Sequence, residues 1–504
     1  MRRIFVFLLA LSLAPVARVW ASDPPSLENR VVEHSLANGI TLLILERHFS
    51  PTVSIRMMFR TGGVDEVTGK TGLAHMFEHM MFKGTRTLGT KDYAAEAPLL
   101  RQINELHQQI DQEKDKGPRA DEKRIADLID QVRGVEARAN ALVIENELWN
   151  LYEREGASAL NANTAPDYTQ YLVDLPSNKI KLWAILDSDR VKNPVFRQFY
   201  QEREVVKEER RMRVDTNPEG KLFEEFVGTS YHAHPYRNPT IGWESDLDHL
   251  YVSDLTDFYK RYYTPSALTI VIVGDVDAKD MIALVEQYFG DWTVTAAPRI
   301  VATQEPPQAG LRRTNLKFDA QPHVLIGFHI PAYPDPDQIV SSAMAHLLGS
   351  GTTSRLYKAL VEKKKVATGV DTGQDYPGER YPSLFIISAA TRFPKTNDDV
   401  IKAVEEELDR LKKEPVVDWE LEKIRSAVEV GILDTLQTNS GMAGTLAYNQ
   451  TVFGDWRYLL RFQKQIHDLT AQDLQKFAKK YFVPENETIG VLETAKRPEP
   501  AKRP

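Results

Sequence analysis

A twelve-residue pattern occurs twice in this chain, and it fixes the broad plan of the fold. Asp254-Leu255-Thr256-Asp257-Phe258-Tyr259-Lys260-Arg261-Tyr262-Tyr263-Thr264-Pro265 returns without gaps as Asp473-Leu474-Gln475-Lys476-Phe477-Ala478-Lys479-Lys480-Tyr481-Phe482-Val483-Pro484, 219 positions later (254 to 473). Each copy runs into an apolar stretch that reads as a strand, Leu268 to Val273 in one and Thr488 to Leu492 in the other. His249 and His467 fall within one residue of the same offset. Self-similarity at this spacing implies two related α+β domains, each an antiparallel or mixed sheet packed against helices. The proline-bearing stretch Thr295 to Gly310 reads as the linker between a first domain at 28–294 and a second at 311–495. The Pro- and charge-rich end, 496–504, reads as a disordered tail.

The first residues are not expected to belong to either domain. Met1-Arg2-Arg3 is a short positive region, and Ile4 to Leu13 is too short to span a bilayer. Val19-Trp20-Ala21 fits a small-residue cleavage site. A signal peptide over 1–21 is therefore expected, with export and no stable membrane anchor. The net charge of −8 is mild and unclustered, which argues against nucleic acid as a partner. The chain contains no cysteine, so disulfides are excluded and any metal site is limited to His, Asp and Glu. Such a donor set favours catalytic over structural zinc, because structural sites lean on thiolates.

Within the first domain, strands are expected over Arg30 to Glu46, around the turn Ala37-Asn38-Gly39, and over Val53 to Arg60. Residues 92–148 differ in character. Leu99, Ile103, Leu106 and Ile110 recur at helical spacing, Gly117-Pro118 interrupts, and Ile125, Leu128, Ile129, Val132 and Val135 resume the period. This reads as an inserted helical hairpin. A strand pair at Leu160 to Leu175 and a polar helix from about Gln198 to Val214 follow.

The chemistry centres on His75-Met76-Phe77-Glu78-His79. Histidines at i and i+4 lie on one face of a helix, about one turn apart, and can hold one metal ion together. Glu78 beside them can take a proton from a water that a metal activates. The order is that of the H-x-x-E-H pattern. A catalytic zinc has three protein ligands, and the densest source of a third is Glu202-Arg203-Glu204-Val205-Val206-Lys207-Glu208-Glu209. There Glu202 and Glu209 share a helical face, while Glu208 points elsewhere. The repeat places the second domain's counterpart of the motif helix around Ser341 to Leu347, with His346 but no H-x-x-E-H.

The run Gly72 to Thr85, which contains that motif, resembles the signature of the M16 (pitrilysin-type) zinc metallopeptidases. Asn161-Ala162, the segment Glu202 to Glu209, and Leu348 to Leu356 with Gly351 and Ser354-Arg355-Leu356 resemble further parts of the same family, so the likeness spans nearly all of 28–495. The resemblance implies a LuxS/MPP-like metallohydrolase fold with a catalytic first and a non-catalytic second domain. It implies one zinc ion per chain on His75, His79 and Glu209, with Glu208 the competing third ligand. Glu78 becomes the general base, Glu202 a second acidic residue supporting catalysis, and Asn161 and Ala162 the edge strand that pairs with an extended peptide substrate. The implied protein is a zinc endopeptidase of the bacterial periplasm, acting as a homodimer or as a heterodimer with a second M16-type subunit. A non-catalytic scaffold of the same fold is the alternative. Two departures stand out. His79 and Glu209 are unusually far apart, which the hairpin explains if its ends lie close together. The region Ser383 to Arg392 also lacks the family's substrate-holding Arg/Tyr pair.

Overall fold

The computed structural model describes residues 27–294 and 300–495. The expected signal segment, the tail and the first part of the linker, 295–299, lie outside the described residues. The first sheet contains β1 (Val31–Ser35), β2 (Thr41–Glu46), β3 (Thr52–Phe59), β4 (Ser158–Thr164), β5 (Thr169–Pro176) and β6 (Leu268–Gly274), in the order β1-β2-β6-β3-β5-β4. The second contains β7 (Arg312–Phe318), β8 (His323–Ile330), β9 (Ala367–Tyr376), β10 (Ser383–Thr391) and β11 (Glu487–Thr494), in the order β7-β11-β8-β10-β9. Both sheets are mixed: β2 runs parallel to β6, and β7 parallel to β11, while the other neighbours are antiparallel. The α+β class is as expected from the sequence.

The twelve-residue repeat marks equivalent places in the two sheets. Its copies form helices Val252–Tyr262 and Ala471–Tyr481, which bury Leu255 and Phe258, and Leu474 and Phe477, at the i, i+3 spacing of one helical face. Each helix feeds an inner strand, β6 or β11, beside that domain's one parallel neighbour. Every residue of β6 is buried, as its β-branched run Thr269-Ile270-Val271-Ile272-Val273 requires. With β1 set aside, the strand order and direction in the two sheets are the same.

One feature of the packing is not visible in the repeat. Helix Pro218–Ser230 lies in sequence between β5 and β6 of the first sheet but packs on the second, where Leu222 and Phe226 join Leu325, Leu384, Ile386 and Leu492. The Phe226 ring occupies space that only glycines leave open. A Cβ at Gly327 would lie 2.5 Å from its Cζ, and one at Gly490 3.0 Å from its Cδ2. Reciprocally, helix Asn439–Tyr448 lays Met442 and Leu446 on Leu43, Leu45, Met58 and Val271 of the first sheet. The two domains are thus joined by exchanged helices around a shared interior. The linker contributes too: Glu305 accepts hydrogen bonds from the backbone N–H groups of His232, Ala233 and His234.

Helices Tyr93–Lys114 and Glu122–Asn140 form an antiparallel pair closed by the turn Gly117–Arg119. Asp92 and Asp121 cap their N-termini by accepting from Ala95 N and Arg124 N at 3.1 and 3.0 Å. At the base, Lys91 N donates to Leu142 O and Ile144 N to Gly89 O, so the chain leaves and rejoins the domain at one place.

Candidate metal centre

The H-x-x-E-H segment forms helix Leu73–Met80. Gly72 starts it with φ 86°, a left-handed conformation that suits glycine, and a Cβ there would sit 2.8 Å from Ile241 O. The buried Glu66 carboxylate accepts from Gly72 N and Ala74 N at 2.8 and 2.7 Å. It thereby satisfies N–H groups that have no partner within the helix. Leu73, Ala74, Met76, Phe77 and Met80 face the core, and His75, Glu78 and His79 face a cavity of about 900 Å³.

The opposing wall is helix Phe199–Arg210, shorter than the sequence suggests because residues Arg211–Asp215 open into a π-turn. This helix brings Glu202 and Glu209 to the histidines. Glu209 Oε2 lies 3.7 Å from His75 Nε2 and 3.4 Å from His79 Nε2. One donor atom from each of the three residues falls within a 4.8 Å cluster, and no other such group occurs among the described residues. A tetrahedral zinc with ligands at its usual bond lengths has edges of about 3.4 Å, and the two separations of Glu209 from the histidines, 3.7 and 3.4 Å, are close to that. Glu208 points away, exposed and paired with Arg211 at 2.7 Å. Of the two candidates for a third ligand, the structure brings Glu209 and not Glu208 to the histidines.

Charge around the cluster favours a cation. Glu202 Oε1 pairs with His79 Nδ1 at 2.9 Å and Oε2 with Lys83 Nζ at 2.7 Å. That arrangement makes Nδ1 the protonated nitrogen and leaves Nε2 toward Glu209. Burial works against ionisation of Glu202, but its bonds to His79 and Lys83 outweigh it and bring the carboxyl down to about 2. Burial likewise opposes charge on His79, yet Glu202 and Glu209 raise it to about 9. His75, more deeply buried and beside His79, falls to about 4. Its Nδ1 has no hydrogen-bond partner. Arg213, on the π-turn, holds the other oxygen of Glu209 at 2.9 Å. Glu202 thus contacts His79 and Lys83 and is not one of the three clustered donors.

Glu78 accepts a hydrogen bond from Thr164 Oγ1 at 2.6 Å, and burial raises its carboxyl above the ordinary range. Thr164 ends β4, the outermost strand of the first sheet, on which Asn161 and Ala162 also line the cavity. The sequence reading did not single out Thr164, Lys83, Arg213 or Glu66. Three of them had a local signal: Lys83 follows His79 by one helical turn, Arg213 follows Glu209 by four residues, and Thr164 closes the strand that carries the Asn161 segment. In the second domain, His346 lies on helix Asp337–Gly349, which follows β8 as the motif helix follows β3. The segment Ser383–Thr391 is β10, an inner strand without Arg or Tyr. Arg380 and Tyr381 precede it but turn toward the first domain, where Arg380 pairs with Asp65.

Comparison with known proteins bears on the family and the fold. Residues 42–100 match the family profile described as "Insulinase (Peptidase family M16)", and residues 250–428 match "Peptidase M16 inactive domain". The chain is 26% identical over 462 residues to a protein named zinc protease PqqE from Helicobacter pylori, covering 89% of each. A crystal structure of a protease from Helicobacter pylori superposes with a TM-score of 0.77 at 25% identity, covering 92% of this chain and 99% of that one. The periplasmic protease PqqL from Escherichia coli superposes with a TM-score of 0.69 at 16% identity, covering 92% of this chain but 48% of PqqL.

Proposed function

The chain belongs to the M16 peptidase family, and from that premise we propose that it is a zinc-dependent endopeptidase acting on extended, unfolded peptide segments. The observation that carries this reading is the convergence of His75, His79 and Glu209 within 4.8 Å, beside Glu78, on the wall of a cavity bounded by an edge strand. Relatives named zinc proteases support the choice of metal.

His75, His79 and Glu209 would hold the ion, one per chain. When bound, zinc supplies Lewis-acid polarisation of the scissile carbonyl and lowers the pKa of water toward neutral. The remaining steps belong to side chains and backbone. The peptide adds alongside β4 at Asn161 and Ala162 through main-chain hydrogen bonds, which a folded substrate has no free backbone to make. Glu78 accepts the proton of the attacking water and returns it to the leaving amine. Burial makes it a stronger proton acceptor than an exposed carboxylate, and Thr164 fixes its rotamer. Glu202 and Lys83 hold the His79 ring in place.

A second such subunit would complete an enclosing chamber, as a homodimer or with a related partner. That is supported by the match of this chain to 48% of PqqL. Export to the periplasm is supported by the pattern of residues 1–21 and by the periplasmic neighbour. Among the described residues no helix is long and apolar enough to cross a membrane.

The test is Glu78→Gln. The variant should bind zinc as the native chain does and lose cleavage of an unstructured peptide by at least about 10²-fold, the lower range for a general base. Cleavage retained at the native rate would refute the mechanism. A native protein that cleaves nothing, alone or with a partner subunit, would favour the scaffold alternative.

A further inference from the structure

Among the described residues the second domain carries no metal cluster, yet one of its loops grips the end of β4, the strand proposed to pair with substrate. The β9–β10 loop contains Gly378, Glu379, Arg380 and Tyr381. Arg380 forms a two-pronged pair with Asp65, Nη1 to Oδ2 at 3.0 Å and Nη2 to Oδ1 at 3.1 Å. Its Nη1 also donates to Asp167 O at 3.2 Å. The backbone N–H groups of Glu379 and Arg380 both donate to Asp167 Oδ2, and Tyr236 OH donates to Asp167 Oδ1 at 2.6 Å. Asp65 and Asp167 are buried, and the Arg380 side chain is 8% exposed.

The two carboxylates sit on the turn that joins β4 to β5 and on the loop facing it. Gly63 N donates to Ala165 O at 3.2 Å and Val64 N to Pro166 O at 2.9 Å. Asp65 accepts from Gly62 N at 3.0 Å, and a Cβ on Gly62 would come within 2.2 Å of Ala165 O. A Cβ on Gly378 would come within 2.3 Å of Asp167 Oδ2. The contacts are close enough that neither glycine position tolerates a side chain without displacement. The same turn continues directly into Thr164, the residue that holds Glu78, and into the Asn161-Ala162 segment. The adjoining Glu66 anchors the N-terminus of the motif helix.

We propose that Arg380, with the backbone of its loop, is a positioning device through which the second domain sets the register and angle of β4 for peptide binding. This rests on the endopeptidase reading and extends it. A buried bidentate pair is rigid, and removing one partner leaves the others as uncompensated buried charges. The turn would then relax, and β4, an edge strand with no outer neighbour, would lose its fixed end. His75 and His79 keep the anchor that Glu66 gives the motif helix at Gly72 and Ala74, and Glu209 lies on a separate helix, so the metal ligands keep their geometry.

The experiment compares native protein, Arg380→Gln and Arg380→Lys, each loaded with zinc, using an unstructured fluorogenic peptide. In Arg380→Gln, KM should rise about tenfold or more, while kcat falls by a smaller factor through the Thr164 bond to Glu78. Zinc affinity, measured by chelator competition, should stay within twofold. Amide hydrogen exchange of residues 158–168 should accelerate relative to the motif helix. Arg380→Lys should recover part of the KM. A fall in kcat at unchanged KM would mean only a smaller folded fraction, and would overturn the positioning role. Unchanged exchange in 158–168 would overturn it as well. If Arg380→Gln does not fold, Tyr236→Phe, which removes one bond to Asp167, should shift exchange and KM in the same direction by a smaller factor, and no shift would count against the proposal. Absence of cleavage by the native chain would refute the endopeptidase reading instead, while the exchange measurement would still decide the clamp.

Discussion

The exchanged helix Pro218–Ser230 rests on one contact that can be perturbed from both sides. Phe226 is fully buried, and truncation to alanine removes a ring with no solvent to refill its place. The expected loss is about 3–5 kcal/mol for Phe→Ala in a packed core. The opposite change is more specific. Gly327 does not need a left-handed backbone, so alanine there is acceptable to the chain itself, but its Cβ would stand 2.5 Å from Phe226 Cζ. Overpacking of this kind costs about 1–3 kcal/mol. Leucine at 226 is shorter and withdraws the atom that collides. Gly327→Ala should therefore cost its full amount in the native background and less than about 0.5 kcal/mol in a Phe226→Leu background. The difference is the coupling energy of a double-mutant cycle. Urea unfolding of the four proteins, followed by tryptophan fluorescence, measures it. Equal costs in the two backgrounds would show that the ring does not lie on the second sheet, and the helix exchange would be wrong. The contact also bears on the proposed function, because Gly220, Phe223 and Val227 of the same helix line the cavity that holds His75, Glu78 and His79.

Three further outcomes follow from the geometry. Glu209→Gln should weaken zinc binding by at least tenfold in chelator competition, whereas Glu208→Gln, exposed and paired only with Arg211, should leave it unchanged; the reverse result would reassign the third ligand. Arg197 donates to Glu96 at 2.9 Å and to the carbonyls of Lys83, Leu88 and Thr85, with both charged side chains buried; Arg197→Gln strands the carboxylate and should lower stability by about 3–5 kcal/mol in urea unfolding, with a loss below about 1 kcal/mol speaking against the pair. Burial pushes Asp375 up to about 7 against its bonds to Gln338 and Ser383. A carboxyl raised in the folded state binds protons that the unfolded chain has released, so stability should fall as pH rises from about 4 to about 7 and level off above, by up to about 1.4 kcal/mol per unit. Glu66, Glu379 and Glu487 are raised by burial too, so Asp375→Asn should reduce that slope in thermal unfolding curves without abolishing it, and an unreduced slope in the variant would show that Asp375 does not contribute.

The legibility of the site followed the range of its interactions. His75, Glu78 and His79 lie within one helical turn, so their common face is a property of the local backbone. Glu202 and Glu209 are two turns apart on one helix, and spacing alone separates them from Glu208. Thr164 was not foreseen, because it meets Glu78 only through the folding of separate elements; Arg213, four residues after Glu209, forms a local pair that composition did not mark out. The polar helix also ends earlier than its composition suggests, since the π-turn at Arg211–Asp215 depends on the close approach of Gly220, where a Cβ would stand 2.0 Å from Arg213 O.

The sequence by itself determined the duplicated plan, the α+β class, the paired hairpin helices and the five-residue heart of the site. Those follow from periodicity and short-range spacing, which the backbone turns into faces and strands without outside help. Tertiary structure decided which glutamate meets the histidines, how Phe226 and the helix Asn439–Tyr448 cross to the opposite sheets, and why Arg380 reaches the turn after β4. Those depend on contacts between residues up to several hundred positions apart, and shape complementarity at such contacts, a ring against a missing Cβ or a guanidinium against two carboxylates, leaves no periodic mark in the chain.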